Sequence, residues 1–249
     1  KEALTQFYKS ILIYGDQNIY DLEKQYSLGE ELGRRLKYVG YITQKESDNL
    51  QIESLPVEKK DGTPLVTFSL GGGEDGDEFL NSFLSMLKKY SGKIPFHSLV
   101  VTGPFLSNGR YLRAQSFVDQ LDNVDIVNFV PNMFDVLKES DGLVTMGGYN
   151  TFCECLSLKK VPIILPRVEP REEQLIRAKI FKKIGLCDYI HPDDLNEEVL
   201  LERILLNLEA NKQTQERPQW QGLRQTAIFL NSLADKSIAE LSPRANVSL

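Results

Sequence analysis

Short apolar segments alternate with longer segments of helical periodicity from Pro64 onwards, and this alternation limits the fold more than any other feature of the sequence. Uninterrupted runs rich in Val, Ile or Leu are typical of parallel strands that are buried on both faces. Strands are predicted at residues 65–70, 98–102, 124–129, 142–146 and 161–165. Helices are predicted at residues 77–90, 111–120, 133–140, 151–157, 170–184 and 197–209. This order predicts an α/β fold with a doubly wound parallel sheet.

The N-terminal part of the sequence is less regular. Residues 11–14 and 38–42 are short apolar segments that predict strands, and a charged stretch without periodicity follows them. We therefore place a domain boundary near Gln44, which separates residues 1–44 from a domain of residues 45–249.

Both ends of the chain carry further predictions. A helix is predicted near residues 220–239, and its apolar stripe is predicted to pack against a domain. The stripe consists of Leu223, Ala227, Leu230 and Leu233. The first residue is Lys1 rather than Met, and an apolar strand follows soon after it, so we expect a piece of something longer or a processed product.

Composition argues against several classes of function. A net charge of -6 is unsuited to extensive nucleic-acid binding, which neutralises many phosphates with Lys and Arg. The three cysteines and two histidines have neither zinc-site spacing nor the pattern of a disulfide framework. No apolar run approaches the ~20 residues of a membrane span, and the N-terminus lacks a signal-peptide pattern. We expect a cytoplasmic protein with no nucleic-acid partner and no transmembrane segment.

Three consecutive glycines, Gly71, Gly72 and Gly73, follow the predicted strand 65–70 and precede a helix. Glycines let a backbone approach another molecule closely, and a helix N-terminus offers free N–H groups to an anion, so the segment is a candidate phosphate loop. A plain glycine turn is the alternative. The acidic residues beside the loop oppose a diphosphate, so we predict a wall of the cleft near the sugar or acceptor. These residues are Glu74, Asp75, Asp77 and Glu78.

A second strand, 142–146, meets a glycine pair and then a helix start. Backbone N–H groups there could hold two phosphates without a metal. The segment consists of Gly147, Gly148, Tyr149, Asn150 and Thr151. Glu154 follows one helical turn later, where a carboxylate can accept hydrogen bonds from both hydroxyls of a ribose. The alternative is a capping box, in which Thr151 and Glu154 satisfy donors at the helix end.

A third segment, from Pro166 to Gln174, follows the strand 161–165 at the same predicted edge of the sheet. It is dense in groups that bond sugar hydroxyls, although a solvated helix start with acidic residues in its first turn is the alternative.

These segments resemble the C-terminal, nucleotide-sugar-binding domain of GT-B glycosyltransferases, in particular the MurG-like enzymes and a group of predicted bacterial glycosyltransferases. The resemblance spans roughly residues 10–190 and is most specific from Gly147 to Gln174. It implies a Rossmann-like fold, with Val130 beside the base, Gly148 to Thr151 at the diphosphate and Glu154 at the ribose. It also implies that Glu173 and Gln174 lie at the donor sugar and that Gly71 to Gly73 form the glycine-rich loop facing the cleft.

The resemblance further implies an acceptor-binding N-terminal lobe of about 150 residues, which supplies the catalytic base. Residues 1–44 correspond to the end of that lobe, so the chain alone is expected to bind donor weakly and to transfer little or nothing. Any peripheral membrane contact is expected to belong to the missing lobe.

The implied reaction is transfer of a sugar from a nucleoside diphosphate sugar, UDP-linked, to a hydroxyl acceptor with inversion and without a metal or other cofactor. Two alternatives stay open from the residues alone, since a fold does not fix a function. One is a nucleotide-sugar epimerase or hydrolase of the same fold, and the other is a binding domain without chemistry.

Overall fold

The computed structural model describes residues 2–42, 55–57, 62–210 and 221–241. The chain divides into two units, one formed by Lys1–Thr43 with Pro218–Leu249 and the other by Gln44–Arg217. The division after Thr43 falls one residue from the boundary predicted at Gln44.

The first unit contains a two-stranded parallel sheet. Its elements are α1 (Glu2–Phe7), β1 (Ile11–Ile13), α2 (Leu22–Tyr26), α3 (Glu30–Gly33) and β2 (Leu36–Tyr38). The second strand was predicted at residues 38–42, but it ends at Tyr38. Beyond that point Gly40 adopts a φ of 82° and donates its N–H to the carbonyl of Gly15 at 3.0 Å. A left-handed residue of this kind leaves the extended conformation, so the strand cannot continue through it.

Six parallel strands form the sheet of the second unit. They are β3 (Leu65–Ser69), β4 (His97–Val101), β5 (Val124–Val127), β6 (Gly142–Thr145), β7 (Ile163–Ile164) and β8 (Asp188–Tyr189). The five strands predicted here are confirmed within a few residues, and β8 is an addition. The seventh strand, β7, is shorter than predicted because Pro162 has no N–H to donate to a neighbouring strand.

Helices cover the sheet, and the predicted doubly wound arrangement is confirmed. They are α4 (Asp77–Lys89), α5 (Asn108–Val118), α6 (Met133–Glu139), α7 (Tyr149–Ser157), α8 (Glu173–Lys183) and α9 (Glu197–Ala210). Every residue of β3 and β6 is buried, which explains why these strands lack polar alternation. Stacked rings of Phe68 and Phe83, 4.5 Å apart, join β3 to α4.

Strand order places a crevice at one edge of this sheet. The order is β5-β4-β3-β6-β7-β8, so the chain runs outward from β3 to β5 and then crosses back to β6 on the other side of β3. Loops that follow β3 and β6 therefore diverge, and such a switch point is where doubly wound sheets bind ligands.

The C-terminal helix α10 (Gly222–Leu241) differs from the prediction in the unit to which it belongs. The sequence prediction put it with residues 45–249, whereas the structure groups it with Lys1–Thr43. The physical reason is a backbone contact at its start, where Gly222 donates its N–H to the carbonyl of Tyr41 at 3.0 Å. The predicted packing stripe is not buried, because Leu223, Leu230 and Leu233 are all exposed.

None of the helices in the described ranges has the length and apolar character needed to cross a membrane.

Candidate functional site

A cavity of about 420 Å³ lies at the switch point, between the loops that follow β3, β4, β5 and β6. Eight of the twelve predicted site residues line it. They are Gly71, Gly72, Val130, Gly148, Tyr149, Asn150, Thr151 and Glu154. The sequence analysis did not anticipate the other lining residues, Ser69, Val101, Gly103, Pro104, Phe129 and Met133.

The remaining four predicted residues lie outside the cavity lining. Gly73 and Gly147 are buried in the turns behind it. Gln174 is only 8% exposed, and its Oε1 accepts a hydrogen bond from the backbone N–H of Arg167 at 2.9 Å. Glu173 is exposed, and its carboxylate lies 3.9 Å from Nη2 of Arg167. In this structure Gln174 therefore holds the loop after β7.

The start of α7 is the best-defined polar feature of the cavity. Gly148 is the N-cap residue and, as a glycine, makes no side-chain cap hydrogen bond. The capping-box alternative is wrong, because it needs Thr151 as the N-cap residue and Thr151 is instead the third residue of the helix. The first N–H groups of a helix have no partner within the helix and attract anions.

Glu154 is half-buried at the side of the cavity. Its carboxylate has neither a hydrogen-bond donor nor a cation as partner within the part of the chain that the structure describes. Burial raises the pKa of this carboxyl above the ordinary value for glutamate. A half-buried carboxylate without a partner is costly for the fold, so its position favours a role with a ligand.

Two glycine loops pack against each other below the cavity. Gly103, after β4, has a φ of 88°, and a Cβ there would stand 2.2 Å from the carbonyl oxygen of Gly71. Gly73 is constrained in the same way, since its Cβ would lie 2.3 Å from the carbonyl oxygen of Thr102. The positive φ and the lack of a side chain are therefore structural requirements here. Gly103 could have been found from sequence, because it too follows a buried strand directly.

Two of the four acidic residues after Gly73 form ion pairs with arginines. Asp75 forms an ion pair with Arg167, and Asp77 forms one with Arg110 at 2.6 Å. These pairs reduce the negative charge that we predicted would keep a diphosphate away from this loop. Both pairs are partly exposed, so each contributes little to stability.

Charged side chains are scarce in the cavity itself. Glu154 is the charged residue among those that line it, and no Lys, Arg or His is among them. The two histidines lie elsewhere. His97 contacts Asp125 through Nε2 at 2.6 Å, and His191 caps the short helical turn Pro192–Asp194. The lining residues therefore offer no histidine as an acid or base.

The three cysteines are buried free thiols. Burial raises the pKa of Cys153 to about 11 and also raises that of Cys155. Since the thiolate is the reactive form, we expect none of the three to react with a thiol-specific reagent in the folded chain at neutral pH. All three should react after unfolding in denaturant. Fast labelling of Cys153 or Cys155 in the folded chain would show that α7 is loosely packed.

Comparison with known proteins identifies the domain. Residues 67–232 match the family described as glycosyltransferase family 28 C-terminal domain. Over 183 residues the chain is 26% identical to the UDP-N-acetylglucosamine--N-acetylmuramyl-(pentapeptide) pyrophosphoryl-undecaprenol N-acetylglucosamine transferase of Streptococcus uberis. The matched region covers 72% of this chain and 48% of that protein. It is 23% identical over 178 residues to an uncharacterized glycosyltransferase of Methanopyrus kandleri, covering 70% of this chain and 47% of that protein. The chain thus spans about half the length of these curated relatives.

Solved structures share the fold. The glycotransferase of kitacinnamycin superposes with a TM-score of 0.58 at 16% identity, covering 80% of this chain and 46% of that one. A calicheamicin glycosyltransferase gives a TM-score of 0.56 at 17% identity, covering 95% of this chain and 55% of that one. These likenesses confirm the GT-B fold, and the family match extends over more than half of the chain. The chain belongs to the glycosyltransferase family 28 C-terminal domain.

Proposed function

We propose that the chain is the donor-binding half of a glycosyltransferase that transfers a sugar from a UDP-linked donor to a hydroxyl acceptor with inversion. The observation that carries this proposal is the uncapped start of α7 at a switch-point cavity without a lining cation. Such a site suits a diphosphate, which backbone N–H groups and a helix dipole can hold without a basic side chain.

The same helix start accounts for catalysis. When the bond between the sugar and the diphosphate breaks, the leaving diphosphate gains negative charge. Fixed donors at Asn150 and Thr151, which line the cavity, would stabilise that charge more than they stabilise the intact donor. This arrangement needs no metal ion. EDTA should therefore leave the transfer rate of the complete, two-lobed enzyme unchanged, and loss of that rate in EDTA would refute this step.

Glu154 is proposed to accept hydrogen bonds from the ribose hydroxyls. Its carboxylate is half-buried, lines the cavity and has no cation to neutralise it among the described residues. We propose further that the catalytic base and the acceptor site belong to the other half of the protein. The chain alone is then expected to bind UDP but to transfer little sugar.

Replacing Glu154 by glutamine tests the ribose contact. We expect UDP to bind about ten- to hundredfold more weakly, because a charged hydrogen bond contributes ~1.5–3 kcal/mol and tenfold corresponds to about 1.4 kcal/mol. The unfolding free energy should stay the same or rise, since Gln buries no charge. Calorimetric titration and urea unfolding measure the two quantities. Glu202→Gln, an exposed position on α9, is the matched control.

The pH dependence of UDP binding gives a second readout. Because burial raises the pKa of Glu154, the folded chain takes up this proton at a higher pH than an ordinary glutamate does. The protonated form stabilises the fold at low pH, and that contribution is lost as the pH rises through the raised pKa. UDP affinity should instead fall as the pH drops through the same range. A Glu154→Gln profile identical to that of the native chain would count against the ribose contact.

A further inference from the structure

Arg177, on α8, holds the turn that leads into α7. Its Nη1 donates a hydrogen bond to the carbonyl oxygen of Gly147 at 2.6 Å. Its guanidinium carbon also lies 5.8 Å from the centre of the Tyr149 ring, at the edge of cation–π range. One partly buried cation therefore contacts both residues that flank Gly148.

The peptide that joins Gly147 to Gly148 connects this cation to the cavity. It is trans, since the cis bond in the described chain is Glu169-Pro170, and a trans peptide points its C=O and N–H in opposite directions. The carbonyl of Gly147 faces Arg177, so the N–H of Gly148 points away from it. Gly148 lines the cavity, and a Cβ added to it would meet no protein atom within 4 Å.

Two physical consequences follow for an anion in the cavity. The hydrogen bond fixes the rotation of the peptide, so the Gly148 N–H keeps one direction. A charged donor on the carbonyl oxygen also polarises the peptide, which makes its N–H a stronger donor, as in chains of hydrogen bonds. Because no cation lines the cavity itself, the positive charge of Arg177 acts on the anion from behind the backbone.

We propose that Arg177 is a positioning residue for the diphosphate, acting through the Gly147–Gly148 peptide rather than by direct contact. This inference rests on the proposed function, because it takes the diphosphate of the donor as the anion. It adds a recognition element on α8 to the site, outside the glycine segment of α7. The nucleoside part of the ligand does not depend on this peptide.

The test is binding of UDP and of uridine to Arg177→Met, with both affinities measured on the full chain. Met retains the length and apolar character of the side chain but has no donor and no charge. We expect UDP to bind at least about tenfold more weakly, the loss typical of one charged hydrogen bond, while uridine binds as before. Lys179→Gln removes a charge from an exposed position two residues away on the same helix and should change neither affinity.

A merely structural role predicts a different pattern. UDP and uridine would then weaken by the same factor, together with a lower unfolding temperature, and that result would overturn the inference. UDP binding to Arg177→Met within twofold of the native chain would overturn it as well. If the Met variant does not fold, Arg177→Lys carries the test, with a smaller loss expected for UDP alone. Failure of the native chain to bind UDP would instead refute the proposed function, so the two failures are distinguishable.

Discussion

Replacing Gly148 by alanine is expected to weaken UDP binding at least about a hundredfold without destabilising the fold. The residue has a φ of −55° and a ψ of 149°, which alanine adopts without strain, and its added methyl group would meet no protein atom within 4 Å. The methyl group would stand in the cavity, where the diphosphate must approach the N–H groups of α7. Loss of two charged hydrogen bonds, at ~1.5–3 kcal/mol each, accounts for this magnitude.

Stability of the Gly148→Ala chain should be equal to that of the native chain or higher by about 0.4–1 kcal/mol, because alanine restricts the unfolded state. Calorimetric titration with UDP and urea unfolding separate the two effects. The neighbouring Gly147→Ala provides a comparison for stability alone. Gly147 has a φ of 75°, and its Cβ would lie 2.7 Å from Cγ2 of Ile164, so this change should destabilise the fold by about 1–3 kcal/mol. Native affinity for UDP in Gly148→Ala would contradict the assigned site.

Gly103→Ala is expected to destabilise the second unit by about 3 kcal/mol or more. The methyl group would stand 2.2 Å from a backbone oxygen of Gly71, and the φ of 88° is itself unfavourable for alanine. A backbone atom cannot rotate away as a side chain can, so the two glycine loops must separate. Urea unfolding measures the loss.

Gly92→Ala provides the matched control for Gly103→Ala. Gly92 also has a positive φ, 71°, but an added Cβ meets nothing within 4 Å. Gly92→Ala should therefore lower the unfolding free energy by only ~1–2 kcal/mol, the cost of placing alanine in the left-handed backbone conformation. Equal losses for the two variants would show that the contact between the glycine loops contributes nothing to stability.

The sheet could be predicted from sequence because its strands are apolar throughout. Runs such as the one from Leu65 to Ser69 are buried on both faces, as is typical of strands in a parallel sheet. Strand β8 was missed because it pairs over only two residues, Asp188 and Tyr189, one of which is charged. The sequence placed the C-terminal helix in the other unit. Helical periodicity predicts that a helix has an apolar face, but it does not identify the segment that packs against that face.

The site was predictable where it follows a strand directly. Gly71, Gly72 and Gly148 each come within a few residues of a buried strand, and strand ends meet at one edge of a parallel sheet. Gln174 shows the limit of this reasoning, since a polar residue at that edge can serve the loop instead of a ligand. Arg177 was missed because it lies inside a helix and contacts Gly147, which is distant in the sequence. Local sequence patterns do not predict such a contact.

Titration of the chain with UDP, GDP, TDP and ADP, each in magnesium and in EDTA, tests whether the switch-point cavity binds a sugar donor. Calorimetry and thermal unfolding report binding and stabilisation, since a ligand that binds only the folded chain raises its stability. We expect saturable binding of UDP that is equal in magnesium and in EDTA and stronger than that of the other diphosphates. Absence of binding by all four diphosphates would contradict the assignment of this cavity as a donor site.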